Sequence, residues 1–260
     1  VADPDYDPLV RWVNDTGVNG EKGTAYTSTY SASVLKEYGY LVDLNINSSD
    51  GESGDLWGSK TSTGFERGVI AWWYFYQTYY EDARPESNTA IMTELIEGPA
   101  FVRVTLYKDT YYYHHNLTRI FTFYPNYFTM ELIFTPNPGV SKSNIRYFYY
   151  NLMYHNGSGN PNVIGSKYTL NYTSNGADYV KTVTIDGVYD SGLYLSYIQP
   201  NWVAVYKDNV FSYSCVPVND ENINGHYYYD LAGYNPPLYG WGSYRYYSSS
   251  GITGSYYIAS

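Results

Sequence analysis

The sequence predicts an all-β protein, a large antiparallel sandwich with long Gly/Tyr-rich loops and an extended N-terminal arm. Three observations lead there. Short runs rich in Tyr, Val, Thr, Ile and Phe are separated by clusters of Gly, Pro, Asn, Asp and Ser, the spacing of strands and turns. No long window repeats apolar residues at the i, i+3, i+4, i+7 spacing of an amphipathic helix. Aromatic residues make up 20% of the chain, with 37 Tyr, whereas charged residues make up 15%, and Tyr is a strand former.

In chain order, Val1 to about Tyr30 differs in kind from the rest of the chain. It carries Asp3, Pro4, Asp7, Pro8, Asn14, Asp15, Gly17, Asn19, Gly20 and Gly23, the composition of an arm or long loop. Residues 31–260 are read as one sandwich domain. Its clearest strands are Tyr38 to Ile46, Val69 to Tyr76, Ala90 to Glu97, Ala100 to Lys108, Leu117 to Tyr124 and Phe128 to Thr135. They continue with Ile145 to Tyr154, Tyr168 to Tyr172, Tyr179 to Ile185, Leu193 to Ile198, Trp202 to Tyr206, Val210 to Val216 and Ile252 to Ala259. In the fourth, Val102, Val104 and Leu106 share one face while Arg103 and Thr105 share the other, so one side is wet. Ala71 to Tyr76 is apolar or aromatic on both faces and belongs in a covered central strand or against another subunit. Pro125-Asn126 connects two strands, and Asn175-Gly176 and Asp186-Gly187 supply the positive φ of tight hairpins. Asn219 to Ser250, with Asn235-Pro236-Pro237 and repeated Gly and Tyr, reads as a second irregular zone.

Charge and length exclude several functions. The chain of 260 residues has a net charge of −10 and no cluster of Lys or Arg, which argues against nucleic acid as a partner. Its longest apolar runs fall well short of the roughly 20 residues a membrane-spanning helix needs. The single Cys215 rules out an intrachain disulfide and reads as a small buried hydrophobe. The start Val1-Ala2-Asp3-Pro4 fits a mature terminus left after signal-peptide removal, so the expected location is extracellular or at the cell surface.

Candidate sites come from residue chemistry. Asn-x-Ser/Thr sequons stand at Asn14, Asn47, Asn116, Asn156 and Asn171, with N-linked glycans expected first on Asn14, Asn47 and Asn156, which fall in predicted loops. Asp50, Glu52 and Asp55 cluster hard oxygens between glycines as a calcium loop would, without the ligand order of an EF-hand, so a plain acidic turn is the favoured reading. No other cofactor is indicated. The adjacent His114 and His115 would point to opposite faces of a strand and cannot hold one ion together. Glu66, Glu94, Glu97 and Glu131 are the carboxylates in or beside strands from which a sugar hydrolase would draw its pair, but the sequence does not pair them. Leu9, Val10, Trp12 and Val13 form an apolar patch inside the arm, suited either to a neighbouring subunit or to the chain's own core.

One resemblance rests on three stretches: Glu97-Gly98-Pro99-Ala100-Phe101-Val102-Arg103-Val104, the strand pair from Thr118 to Phe134, and Trp202-Val203-Ala204-Val205-Tyr206-Lys207-Asp208. Their order resembles galactose-mutarotase-like supersandwich domains, across about residues 35 to 215. That resemblance implies a supersandwich fold of the kind found in sugar epimerases, polysaccharide lyases and noncatalytic parts of glycan enzymes. The catalytic His and Glu of the mutarotase family have no matching motif here. Catalytic features do not stand out, whereas interface features do. The sequence therefore favours a secreted, glycosylated structural or adhesive subunit of a self-associating assembly, such as a filament or surface layer. The competing reading is a carbohydrate-active enzyme or carbohydrate-binding module.

Overall fold

The computed structural model describes residues 8–15, 22–36, 40–46, 54–57, 69–75, 79–82, 91–109, 115–136, 145–155, 167–184, 190–196, 199–208, 211–219, 225–231, 238–246 and 252–259. Strands and tight turns account for them, and no helix occurs among the described residues. The first strands are β1 (Arg11–Asp15), β2 (Lys22–Tyr26), β3 (Tyr30–Leu35), β4 (Tyr40–Ile46), β5 (Gly54–Trp57), β6 (Val69–Phe75) and β7 (Tyr79–Asp82). Next come β8 (Ile91–Glu97), β9 (Val102–Asp109), β10 (His115–Phe123), β11 (Tyr127–Pro136), β12 (Ile145–His155), β13 (Lys167–Ser174) and β14 (Ala177–Thr184). The chain continues through β15 (Asp190–Ser196), β16 (Gln199–Lys207), β17 (Phe211–Asn219), β18 (Gly225–Leu231), β19 (Leu238–Tyr246) and β20 (Ile252–Ala259).

Two antiparallel sheets result. One has 11 strands, in the order β1-β2-β3-β4-β6-β12-β19-β18-β15, with β5 added on β4 and β7 on β6. The other has 9, in the order β14-β13-β16-β17-β20-β11-β10-β9-β8. The all-β expectation holds among the described residues, and β6 lies inside its sheet between β4 and β12.

Two expectations about irregular segments are corrected. The segment read as an arm supplies β1 and β2, hydrogen-bonded in register with Trp12 opposite Ala25 and Asn14 opposite Gly23. Its small residues reflect packing, because Gly23 leaves space into which the Trp12 indole lies down. A Cβ on Gly23 would overlap the Trp12 ring at Cζ2, so no larger residue fits there without moving the indole. The zone from Asn219 to Ser250 contains β18 and β19, paired along their whole length from Gly225↔Tyr244 to Leu231↔Leu238. There the strand preference of Tyr outweighs the glycines.

Among the described residues the core lies where β1–β4 pack over β9–β11. Val10, Trp12, Tyr30, Val34 and Leu41 are buried from the first sheet, and Val102, Val104, Leu106, Phe121, Phe123, Phe128 and Met130 from the second. Trp12 stacks on Phe123 with ring centres 6.2 Å apart, and Tyr30 meets Phe128 at 5.8 Å. At one end, the turns at 27–30, 98–101 and 124–127 are each closed by a backbone N–H donating to the carbonyl three residues on. Thr29 Oγ1 donates to the Pro125 carbonyl at 2.8 Å, and the Leu9 N–H donates to the Pro99 carbonyl at 3.1 Å. The Tyr30 hydroxyl lies 2.8 Å from both the Tyr124 and the Tyr127 carbonyl oxygens. The two sheets are thus joined by polar contacts as well as by apolar burial.

Candidate functional site on the outer face of the second sheet

Strand alternation divides the nine-stranded sheet into an inner face, packed on β1–β3, and an outer face turned away from them. On β9, Val102, Val104 and Leu106 point inward and are buried, leaving Arg103, Thr105 and Tyr107 outside. Register carries this division across the sheet. Arg103 stands opposite Thr122, and Thr105 opposite Ile120. Thr122 stands opposite Thr129, and Ile120 opposite Glu131. At the sheet edge Ile96 faces Arg103 and Glu94 faces Thr105. The wet side read from the β9 sequence is therefore the first column of a broader polar surface.

Two side-chain pairs organise it. The Arg103 guanidinium donates through Nε to Thr122 Oγ1 at 3.3 Å, which holds its planar head over a threonine that is otherwise buried. Arg103 is exposed, and its guanidinium carries several further donors in a rigid fork. Thr105 Oγ1 donates to Glu94 Oε2 at 3.4 Å, fixing a carboxylate one register step away. Further across, Trp202, Ala204 and Tyr206 alternate onto the same outer face of β16, with Ala204 opposite Thr169 and Trp202 and Tyr206 half-buried. Lys167 Nζ sits 5.5 Å from the centre of the Tyr206 ring and pairs with Asp208 Oδ2 at 2.9 Å. The hydrogen bond to Asp208, with that carboxylate's charge, raises the Lys167 ammonium pKa above its ordinary value of 10.5. Thr169 and Thr182 share a hydroxyl contact of 2.9 Å beside it.

The carboxylates expected from sequence are thereby sorted. Glu94, Thr105, Ile120 and Glu131 occupy one register row, so Glu94 and Glu131 are three strand spacings apart, roughly 14 Å at ~4.8 Å per strand. Glycosidase pairs are separated by roughly 5 to 9.5 Å, so these two cannot act across one glycosidic bond. Glu97 lies opposite Val102, on the register row of the other face. Glu66 lies outside the described residues.

The remaining sequence-derived sites disperse. Val10 is 2% exposed and Trp12 7%, so both serve their own chain's core; Leu9, at 61%, is the exposed member of that patch, and Val13 is half-buried. Asn14 is exposed, but on β1 rather than in a loop, and its Oδ1 accepts the Trp12 indole N–H at 3.0 Å. Asn116 is on β10 opposite Asp109 and Thr135, and Asn171 is half-buried on β13 opposite Val180 and Trp202. Asn47 and Asn156 lie outside the described residues, as do Asp50, Glu52 and the Asp186-Gly187 turn; the backbone of Asp55 is on β5 opposite Asn45. Sequence reasoning did not find Thr122 or the Lys167–Asp208 pair, because each depends on a partner strand that only the register identifies.

No protein-family profile matches the sequence, and a sequence search of curated proteins finds no match. Solved structures do match. A galactose mutarotase related enzyme from Lactobacillus acidophilus superposes with a TM-score of 0.60 at 7% identity, covering 91% of this chain and 96% of that one. A galactose mutarotase-like protein from Lactobacillus casei gives 0.52 at 10% identity, over 91% and 98%. An aldose epimerase homologue from C. elegans gives 0.52 at 8% identity, over 96% and 98%. At these identities the likeness is one of fold, and nearly the full length of this chain carries the galactose mutarotase-like fold.

Proposed function

We propose that the protein is a carbohydrate-active protein whose sugar site is the outer face of the nine-stranded sheet around Arg103, Glu94 and Thr105. The observation that carries this reading is the near full-length likeness to mutarotase and aldose epimerase folds. The chemistry of the face agrees with it. A pyranose offers hydroxyls that both donate and accept. Arg103 supplies donors, Glu94 supplies acceptors, and Thr105 supplies a hydroxyl able to do either. Five strands across the same face, Trp202 and Tyr206 offer ring faces to the apolar side of a separate residue of a longer oligosaccharide. The net charge of −10 repels polyanions, so neutral sugars are the favoured class.

The competing picture, a filament or surface-layer subunit, loses the support of the N-terminal patch once Val10 and Trp12 are inside the fold. Saturation-transfer NMR against a panel of neutral mono- and oligosaccharides tests the proposal, with anomeric exchange followed in the same samples. Saturation of at least one sugar is expected, falling at least tenfold in R103A and E94Q. Absence of transfer to every sugar, or full retention in both variants, would overturn it.

A further inference from the structure

On the side of the 98–101 and 124–127 turns, the outer face of the nine-stranded sheet ends in a cluster of aromatic rings. Tyr127 is on β11, on the same face as Thr129 and Glu131. Tyr124 stacks on it with ring centres 4.6 Å apart and planes 24° from parallel, and Phe101 meets Tyr124 at 6.1 Å. Phe121, Phe123 and Phe128 on the inner face are at most 2% exposed, whereas Phe101, Tyr124 and Tyr127 are half-buried and keep contact with solvent. Asn126, at the tip of the turn between the tyrosines, is exposed.

The backbone that carries these rings is held from the other sheet. The Tyr30 hydroxyl reaches the Tyr124 and Tyr127 carbonyls, Thr29 Oγ1 donates to the Pro125 carbonyl, and the Tyr124 N–H closes the turn on the Tyr127 carbonyl. The Phe101 ring lies against Gly98, where a Cβ would stand 3.1 Å from Phe101 Cε1, and the Leu9 N–H ties that turn down through the Pro99 carbonyl. None of these bonds uses the side chain of Phe101, Tyr124 or Tyr127. The rings stand on a pinned backbone, so presenting them to a ligand costs little further ordering.

We propose that this cluster is a stacking subsite for a sugar ring, adjoining the Arg103–Glu94 site, so that the ligand is a neutral disaccharide or longer glycan and not a free monosaccharide; the proposal rests on the sugar reading. Contiguity carries it. Arg103, Thr122 and Thr129 form one register row across β9, β10 and β11. Phe101, Tyr124 and Tyr127 each stand two residues beyond that row at the same end, roughly 7 Å away at ~3.4 Å per residue. Thr105, which donates to Glu94, lies two residues on the other side of Arg103, roughly 14 Å from the rings. A single pyranose does not reach from the rings to that pair, whereas two linked rings do, with the Arg103 guanidinium between them. An aromatic face takes the C–H side of a sugar and leaves its hydroxyls at the rim, where the exposed Asn126 both donates and accepts. Residues 98–102 and 123–129 contain no Asp, Glu, Lys or Arg, so this end suits an uncharged ring.

Calorimetric titration of the full chain with matched sugars tests it: glucose and cellobiose, mannose and mannobiose, xylose and xylobiose, galactose and galactobiose. Where a pair binds, the disaccharide is expected to bind about tenfold or more tighter than its monosaccharide. Tyr127→Ala should raise the disaccharide dissociation constant by about tenfold or more, with an unchanged circular dichroism spectrum, because the bonds that close the turn belong to the backbone and to Tyr30. Tyr127→Phe, which keeps the ring, should stay within about threefold of wild type. Should Y127A alter the spectrum, Phe101→Leu, which keeps bulk but removes a ring, is held to the same loss. A monosaccharide bound as tightly as its disaccharide, Y127A at wild-type affinity while R103A is weakened, or Y127F as weak as Y127A would overturn the stacking subsite and leave the sugar reading standing. Binding of no sugar in the panel would overturn both.

Discussion

Replacing Tyr30 by Phe probes the junction between the sheets, because its ring is buried and its hydroxyl reaches two carbonyls of the 124–127 turn at 2.8 Å each. The Tyr127 carbonyl retains the Tyr124 N–H at 2.8 Å, so deletion of the hydroxyl deprives chiefly the Tyr124 carbonyl. Losing one such buried hydrogen bond costs about 1–2 kcal/mol at neutral pH. The pH dependence follows from burial, which is the main cause of a phenol pKa raised far above its ordinary 10.0. With the folded-state value raised, the folded chain keeps the proton while the unfolded chain releases it above pH 10. Stability contributed by Tyr30 is thus intact below pH 10 and declines above it, by about 1.4 kcal/mol at pH 11. Urea unfolding of wild type and Y30F at pH 7 and pH 11 measures both quantities, and the difference cancels the contribution of the other tyrosines. The wild-type advantage of about 1–2 kcal/mol should shrink to near zero at pH 11. An equal difference at both pH values, or Y30F as stable as wild type at pH 7, would refute the reasoning.

Three other outcomes are expected. Gly23→Ala should cost about 1–3 kcal/mol in urea unfolding and alter Trp fluorescence, because the new methyl displaces the Trp12 indole from its place against Phe123. Gly176→Ala, at φ 78° with open space around it, should cost about 1 kcal/mol from backbone strain alone, read from the thermal midpoint. Asp208→Asn should lower the Lys167 titration midpoint toward 10.5 by NMR; since that midpoint is raised in the fold, the pair's contribution is present below pH 10.5 and lost as pH rises past the folded value.

Much of the fold was legible because alternation is a local signal. The faces of β9 could be read from Val102 through Leu106, and the Asn175-Gly176 turn from its dipeptide, since each depends only on near neighbours. The resemblance to mutarotase-like domains was legible from the order of strands around Gly98 and Trp202, and it holds as a fold. The N-terminal strands were missed because Gly23 and its neighbours look like loop residues until Trp12 is seen lying over them. The same blindness hid how far the polar face extends beyond the wet side of β9. Arg103 and Glu94 are individually ordinary, and become a site only when Thr122 and Thr105 are brought beside them by strands whose register no single segment records.

The place of β20 has a consequence for biosynthesis. This strand, last in sequence among those described, sits between β11 and β17 and links the β8–β11 block to the β13–β17 block of its sheet. A nascent chain emerging from the ribosome can therefore assemble two separate half-sheets, each with a bare edge, well before residue 252 is available. Closing the gap means joining segments distant in sequence, a slow step for any chain, and during that interval the bare edges of β11 and β17 are open to each other or to foreign strands. A polypeptide stopped short of residue 252 would keep both edges bare, so translation stalls and proteolytic trimming within 252–259 should yield aggregation-prone products out of proportion to the few residues lost.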